Sequence, residues 1–106
     1  MSDPHLLDWD AVRPQEAAPN RRTIEGNGAS LVRIEVKAGH KASRHSHEHE
    51  QFVQVLSGSG TLETEQGIRR FGPGTVFHFP ANAWHAAEFD CDTVLVETNV
   101  SRDRPA

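Results

Sequence analysis

The 106-residue chain, of 11.8 kDa, carries eleven basic and fifteen acidic side chains, for a formal net charge of −4 at pH 7. This length fits one domain and leaves no room for the separate cofactor and substrate modules of a two-domain enzyme. The acidic balance excludes the basic patch on which binding to a phosphate backbone depends, so we expect no nucleic acid partner.

The first twenty residues form the first predicted element, an N-terminal arm. They contain three prolines and little apolar sequence beyond Leu6, Leu7 and Trp9. They lack the cationic start and the apolar run of a signal peptide, so we expect a cytoplasmic protein. A lone aromatic residue in a polar arm usually docks against other protein, and we predict that Trp9 packs across the interface of a homodimer.

Six strands are predicted after the arm, because apolar and polar residues alternate there with a period of two. The clearest case is the first run, in which Val32, Ile34 and Val36 share one face. The predicted strands cover residues 31–37, 52–56, 61–65, 68–71, 75–79 and 93–98. Turns rich in glycine and proline separate several of them.

No run of twelve or more residues shows a helical stripe, and short strands at close intervals indicate an all-β, antiparallel sandwich or barrel. We expect a single barrel over residues 21–100, between the arm of residues 1–20 and a polar tail of residues 101–106. The longest uncharged stretch, residues 71–87, contains two prolines and two histidines, so no membrane span is expected. The single cysteine, Cys91, permits no disulfide within the chain.

Histidine is the unusual feature of the composition. Of seven histidines, four fall within ten consecutive positions, namely His40, His45, His47 and His49. In an extended strand, side chains two residues apart share a face, so His45 and His47 would project together, and His49 and Gln51 would continue that face. The face becomes apolar further along, which indicates that it points into the barrel. His85, from a second element, would complete three imidazoles for a transition metal.

Two other interpretations of these residues stay open. A solvated surface strand also explains the histidines, because Ser46, Glu48 and Glu50 alternate with them. A one-residue bulge would bring Glu50, in place of Gln51, towards the metal. His40 lies beside Gly39 and is expected to be a loop residue.

The spacing of these residues resembles that of a known family. Gly39-x5-His45-x-His47-x3-Gln51-x6-Gly58 resembles the first cupin motif, and Gly74-x5-Pro80-x-Asn82-x2-His85-x3-Phe89 is similar to the second. The fifteen residues between the motifs, 59–73, would form a compact hairpin, as in small single-domain cupins of the RmlC-like type. The resemblance implies an antiparallel double-stranded β-helix, or jelly-roll barrel, over most of the chain.

Three positions depart from the family pattern. Gln51 stands where the family usually has glutamate, Asn82 where it often has glycine, and Phe89 where it often has asparagine. Asparagine tolerates left-handed backbone better than most residues, and Phe89 is expected to pack in the barrel. Some small cupins similar to this chain bind metal through three histidines and a glutamine. The resemblance therefore implies one divalent transition metal ion (Mn, Fe, Ni, Zn or Cu), with the ligands His45, His47, Gln51 and His85.

Two further histidines, His49 and His78, are candidates for a catalytic base near such a metal, because the pKa of imidazole lies near neutrality. The competing interpretation places His49 in solvent, at the bend after His47. It places His78 within a strand, between two phenylalanines, where it has only a packing role.

The function that we expect is that of a metal-dependent enzyme acting on a small oxygen-bearing organic substrate. A glutamine ligand is neutral and leaves the charge of a divalent ion undiminished, which favours Lewis-acid chemistry of the isomerase or lyase kind. Three alternatives stay open: a cupin-type dioxygenase with iron or another redox metal, a non-catalytic cupin that holds a metal or small ligand, and a purely structural barrel.

Overall fold

The computed structural model describes residues 7–101, which form one short 3-10 helix and nine β-strands. The helix, η1, spans Trp9–Ala11. The strands are β1 Arg21–Glu25, β2 Ala29–Val36, β3 Lys41–His45, β4 Glu50–Ser57, β5 Gly60–Thr64, β6 Gly67–Phe71, β7 Val76–Phe79, β8 His85–Phe89 and β9 Thr93–Val100. Within these residues, no helix has the length and apolar character needed to cross a membrane.

The strands form two facing antiparallel sheets. One sheet has the order β1-β2-β9-β4-β7, and the other has the order β3-β8-β5-β6. Neighbouring strands in these orders are mostly distant in sequence, as in the pairs β2–β9 and β3–β8, so the chain crosses repeatedly between the sheets. This is the jelly-roll arrangement, and the predicted all-β, antiparallel fold is confirmed.

Three strands, β1, β3 and β8, were not among the six predicted. None of them alternates cleanly between apolar and polar residues. β3 is a mostly exposed strand of polar residues, and β8 reads His-Ala-Ala-Glu-Phe, in which alanine has weak strand propensity. These strands exist because neighbouring strands supply hydrogen bonds, which a local pattern in the sequence does not reveal.

The core lies between the sheets. On the five-stranded sheet, cross-strand partners share a face, and one inward row joins Ile34, Leu95 and Val55. These three side chains are buried, as is Phe89 on the opposite sheet, where it was expected. The buried apolar cluster comprises Val32, Ile34, Val53, Val55, Leu62, Phe71, Phe79, Phe89 and Leu95.

The described part of the N-terminal arm docks along β1 of its own chain. The Arg22 guanidinium donates hydrogen bonds through Nη1 to the carbonyl oxygens of Trp9 (3.1 Å) and Val12 (2.8 Å). Further along, Pro14 forms an isolated bridge with Arg22, and Gln15 donates through Nε2 to Thr23 Oγ1 at 2.6 Å. Residues 1–6 of the predicted arm and 102–106 of the predicted tail lie outside the described residues.

Candidate metal centre

Three histidines converge at one end of the space between the sheets. His45 ends β3, His85 begins β8, and the two are direct cross-strand partners with ring centroids 4.3 Å apart. His47 lies two residues beyond β3, and its ring centroid is 5.1 Å from that of His45. One ring nitrogen from each of the three side chains lies within 4.8 Å of the other two. We call His45, His47 and His85 the histidine cluster.

The local structure that positions His47 differs from the extended strand expected over residues 45–51. β3 stops at His45 and β4 begins at Glu50, so residues 46–49 form a bend. The bend is held by a hydrogen bond of 2.6 Å from the backbone N–H of Asn82 to the carbonyl oxygen of His47. Asn82 has a left-handed backbone, with φ of 69°, as expected at a position where the family often has glycine.

Two of the cluster imidazoles have a free ring nitrogen that their surroundings define. Nδ1 of His45 lies 2.7 Å from the carbonyl oxygen of Ser43, to which it donates, so the lone pair is on Nε2. Nδ1 of His85 is buried and has no hydrogen-bond partner among residues 7–101. Such a fixed tautomer and such an unsatisfied nitrogen are what a metal-binding imidazole requires.

Burial favours the neutral form of two of the cluster imidazoles, those of His47 and His85. Burial, followed by the charge of His45, lowers the pKa of His85 to about 4, and the ring of Phe79 stacks on it at 3.9 Å. Burial also lowers the pKa of His47, with smaller contributions from His45, His49 and Arg21. A neutral imidazole is the form that binds metal, and the lowered pKa values of His47 and His85 favour that form at physiological pH.

Gln51 lies in β4, with its side chain almost fully buried (3% exposed) on the wall of the cavity that also contains His45 and His85. Its Nε2 donates to Oδ1 of Asn99, its cross-strand partner on β9, at 2.9 Å. That bond uses the amide nitrogen of Gln51 and does not involve the amide oxygen. Glu50, the alternative ligand considered above, instead pairs with His78 and is not part of the cluster.

The two candidate bases have different surroundings. His49 lies beside the cluster: its ring stacks on His47 with centroids 5.0 Å apart, and its Nε2 is 3.1 Å from Asn99 Oδ1. His78 lies on the exposed face of β7, where its Nε2 is 2.6 Å from Glu50 Oε2 and its ring stacks on Phe52. The structure therefore brings His49 to the candidate centre and does not bring His78 there.

A cavity of about 410 Å³ opens beside the cluster, a size suited to a small organic molecule. Most of its wall is apolar, with contributions from Ile34, Val53, Phe77, Phe79 and Leu95. Its polar wall residues include His45, His85, Gln51, Glu97 and Arg21. A mainly apolar cavity with a few convergent polar groups is the usual form of a ligand site.

The sequence interpretation missed Glu97 and Arg21. Glu97 lies on β9 between Val32 of β2 and Val53 of β4, both buried, and lines the cavity with Val53. Burial raises the pKa of its carboxyl group, while the charges of Arg21, His49 and His45 act in the opposite direction. The signal was present in the alternation of β9, because Glu97 has the same parity as the inward residue Leu95.

Comparisons with known proteins agree with this architecture. The family model described as Cupin domain matches residues 32–99, and the chain belongs to that family. No curated protein matches the sequence.

Many solved structures share the fold, among them the three that follow. An RmlC-like cupin from Shewanella frigidimarina superposes with a TM-score of 0.79 at 20% identity, over 95% of each chain. A putative mannose-6-phosphate isomerase from Ralstonia eutropha gives a TM-score of 0.71 at 24% identity, over 92% of this chain and 99% of the other. The DMSP lyase DddQ of Ruegeria pomeroyi gives 0.69 at 18% identity, over 95% of this chain and 57% of the other.

Proposed function

We propose that this cupin is an enzyme that holds one divalent transition metal ion and acts on a small oxygen-bearing organic substrate. The ligands would be His45, His47, Gln51 and His85. The observation that carries the proposal is the histidine cluster itself, in which three ring nitrogens from β3, the following bend and β8 lie within 4.8 Å of one another. Imidazole nitrogens at such spacing suit a first-row transition metal.

The donor set supports non-redox chemistry. Three neutral imidazoles and a neutral amide would leave the charge of a bound divalent ion uncompensated. When bound, such an ion would act as a Lewis acid that polarises a carbonyl or hydroxyl oxygen of the substrate. The likeness in fold to a putative isomerase and to a lyase is in keeping with this class of reaction.

The protein's own residues would bind the substrate, exclude water and move protons. The apolar wall around Phe77 and Phe79 would exclude water from the cavity. His49, whose ring stacks on His47, would serve as the proton acceptor at the histidine cluster. The Glu97 carboxyl, with its raised pKa, is the group in the cavity wall that is able to take up or release a proton. His78 was the other predicted base, but its position on the outer face supports a structural pairing with Glu50.

A substrate screen tests the proposal. The protein would be loaded separately with Mn, Fe, Ni, Zn and Cu and incubated with hydroxy acids, keto acids and sugars, with and without dioxygen. We expect turnover that needs the metal and is independent of dioxygen. Strict dependence on dioxygen would favour a dioxygenase instead, and tight ligand binding without turnover would favour a non-catalytic binding protein.

We further propose that the chain forms a homodimer. The support is an exposed apolar group on the outer face of the five-stranded sheet, where Phe52, Leu56 and Val76 are 37%, 50% and 59% exposed. Apolar groups of this kind often mark protein–protein contacts. Light scattering on the full chain and on a variant that lacks residues 1–20 tests both the dimer and the predicted role of Trp9. The same number of chains per particle in both proteins would show that the arm has no role in assembly.

A cytoplasmic location completes the proposal. Cys91 is exposed and free, which suits a reducing compartment. Cell fractionation with an antibody against the chain tests it, and recovery outside the cytoplasmic fraction would contradict it.

A further inference from the structure

Arg21 is a cation in the cavity wall that forms no salt bridge with any of residues 7–101. It begins β1 and is the cross-strand partner of Ile34, a buried residue of the core, so its side chain lies on the inward face of the sheet. It lines the same cavity as His45 and His85. The ion pairs found among residues 7–101 are Arg33–Glu35, Lys41–Glu88, Arg70–Asp90 and His78–Glu50, and none includes Arg21.

Arg21 and Lys37 both line the cavity, but Arg21 is half-buried whereas Lys37 is exposed. Arg22, on the opposite face of β1, binds the carbonyl oxygens of Trp9 and Val12 and so holds the arm. Arg33, on the opposite face of β2, pairs with Glu35 at 2.7 Å. A guanidinium group has five donors in a planar fork that matches a carboxylate, and a half-buried one without a protein partner is suited to bind an external anion.

We propose that the cavity binds a small organic acid, with its carboxylate on Arg21 and a hydroxyl or carbonyl oxygen directed towards the histidine cluster. The inference rests on the proposed function, of which it names the substrate class. The proposed ligand set also favours an anionic substrate, because three imidazoles and an amide carry no negative charge to compensate that of a divalent ion. An anionic substrate would supply that charge.

Two acidic residues line the cavity: Glu35 is exposed and paired with Arg33, and Glu97 lies inward on β9, where it would repel an anion if it were fully ionised. Its position between Val32 and Val53 disfavours the charged form. A protonated carboxyl group can instead donate a hydrogen bond to the bound acid. Glu97 is therefore compatible with an anionic ligand on Arg21.

Binding of two matched pairs of probes to zinc-loaded and metal-free protein tests the proposal. The anions are pyruvate and L-malate, and their neutral counterparts, in which each carboxylate is replaced by CH2OH, are hydroxyacetone and 1,2,4-butanetriol. We expect calorimetry or NMR titration to show each anion binding at least tenfold more tightly than its counterpart. Arg21→Gln should lower anion affinity about tenfold or more, since hydrogen bonds to a charged group are lost.

The control variant is Arg69→Gln, which removes the same charge from β6, away from the cavity lining, and should leave anion affinity unchanged. Arg21→Lys, which keeps the charge and loses the fork, should give an intermediate affinity. Equal affinity of wild type and Arg21→Gln, equal binding of anions and neutral counterparts, or no anion binding to either form would overturn the proposal. If the wild-type protein binds no zinc but still binds the anions in an Arg21-dependent way, the proposed metal centre is wrong and the anion site is supported.

Discussion

Gln51 and Asn99 face each other across β4 and β9, and the Gln51 amide nitrogen donates to Oδ1 of Asn99 at 2.9 Å. The same oxygen lies 3.1 Å from Nε2 of His49, so Asn99 is the shared partner of two residues at the histidine cluster. An amide has one donor end and one acceptor end. By engaging the donor end of Gln51, Asn99 sets the orientation in which the Gln51 oxygen is available to a metal.

Asn99 should therefore affect metal affinity without being a ligand. We expect Asn99→Leu to lower the affinity for zinc about 10- to 100-fold, the usual effect of removing a residue that orients a ligand. Competition with a chromophoric chelator measures the change. Asn99→Asp keeps an oxygen acceptor for Gln51 and should retain zinc; equal affinity of Asn99→Leu and wild type would show that Gln51 needs no such support.

Gln51 determines the charge of the proposed ligand set. Gln51→Glu should tighten zinc binding by about tenfold or more, because a carboxylate adds a negative charge next to the cation. The carboxylate cannot donate to Asn99, whose own amide must then turn to donate in its place. The same competition assay measures the effect, with Gln54→Glu on the outward face of β4 as the control. Weaker zinc binding by Gln51→Glu would argue against a ligand at this position.

His85 should make the metal-free protein less stable in mild acid. Its pKa is about 4 in the folded protein, against the ordinary value of 6.5 for a solvated histidine, so between these values the unfolded chain binds more protons and stability falls as the pH falls. The loss is at most about 3 kcal/mol for this shift. Chemical denaturation at pH 7 and pH 4.5 measures it. His85→Gln should reduce the difference, and an unchanged difference would assign it to other groups.

Glu97 should make the folded protein less stable as the pH rises, the opposite of the effect of His85. Because its pKa is raised in the folded protein, the stability that it contributes is present below its ordinary pKa of 4.5 and is lost as the pH rises through the folded value. Glu97→Gln should therefore raise the free energy of unfolding at pH 8 and change it little at pH 4. The exposed Glu63→Gln variant is the control. Equal effects of Glu97→Gln at the two pH values would contradict the shift.

Much of the fold was predictable because local backbone geometry determines which residue types occur at several motif positions. Gly39, Gly58 and Gly74 have φ values of 85°, 93° and 90°, and Asn82 follows with 69°, so the motif spacing marks the places where the backbone must turn left-handed. At Gly58 a Cβ atom would overlap the backbone of Thr93. Each such position restricts its own residue type, so it can be recognised in a single sequence without knowledge of the tertiary contacts.

The site was predictable only in part, because several of its features come from tertiary contacts. The pairing of His45 with His85 requires β3 and β8 to be neighbours, and the bend at His47 is held from Asn82, 35 positions away. The inward position of Arg21 follows from its pairing with Ile34, since β1 alone shows no alternation. The competing interpretation gave His78 a packing role within a strand. Its position on the outer face and its pairing with Glu50 could be seen only once β4 and β7 were adjacent.

Metal content tests the central claim most directly. Protein purified from cells supplemented with transition metals would be compared with the His47→Ala and His78→Ala variants by elemental analysis. We expect about one divalent transition metal ion per wild-type chain and per His78→Ala chain, and little in His47→Ala, which loses one of three converging imidazoles. Wild-type protein without bound metal, or His47→Ala protein with the wild-type content, would contradict the metal centre.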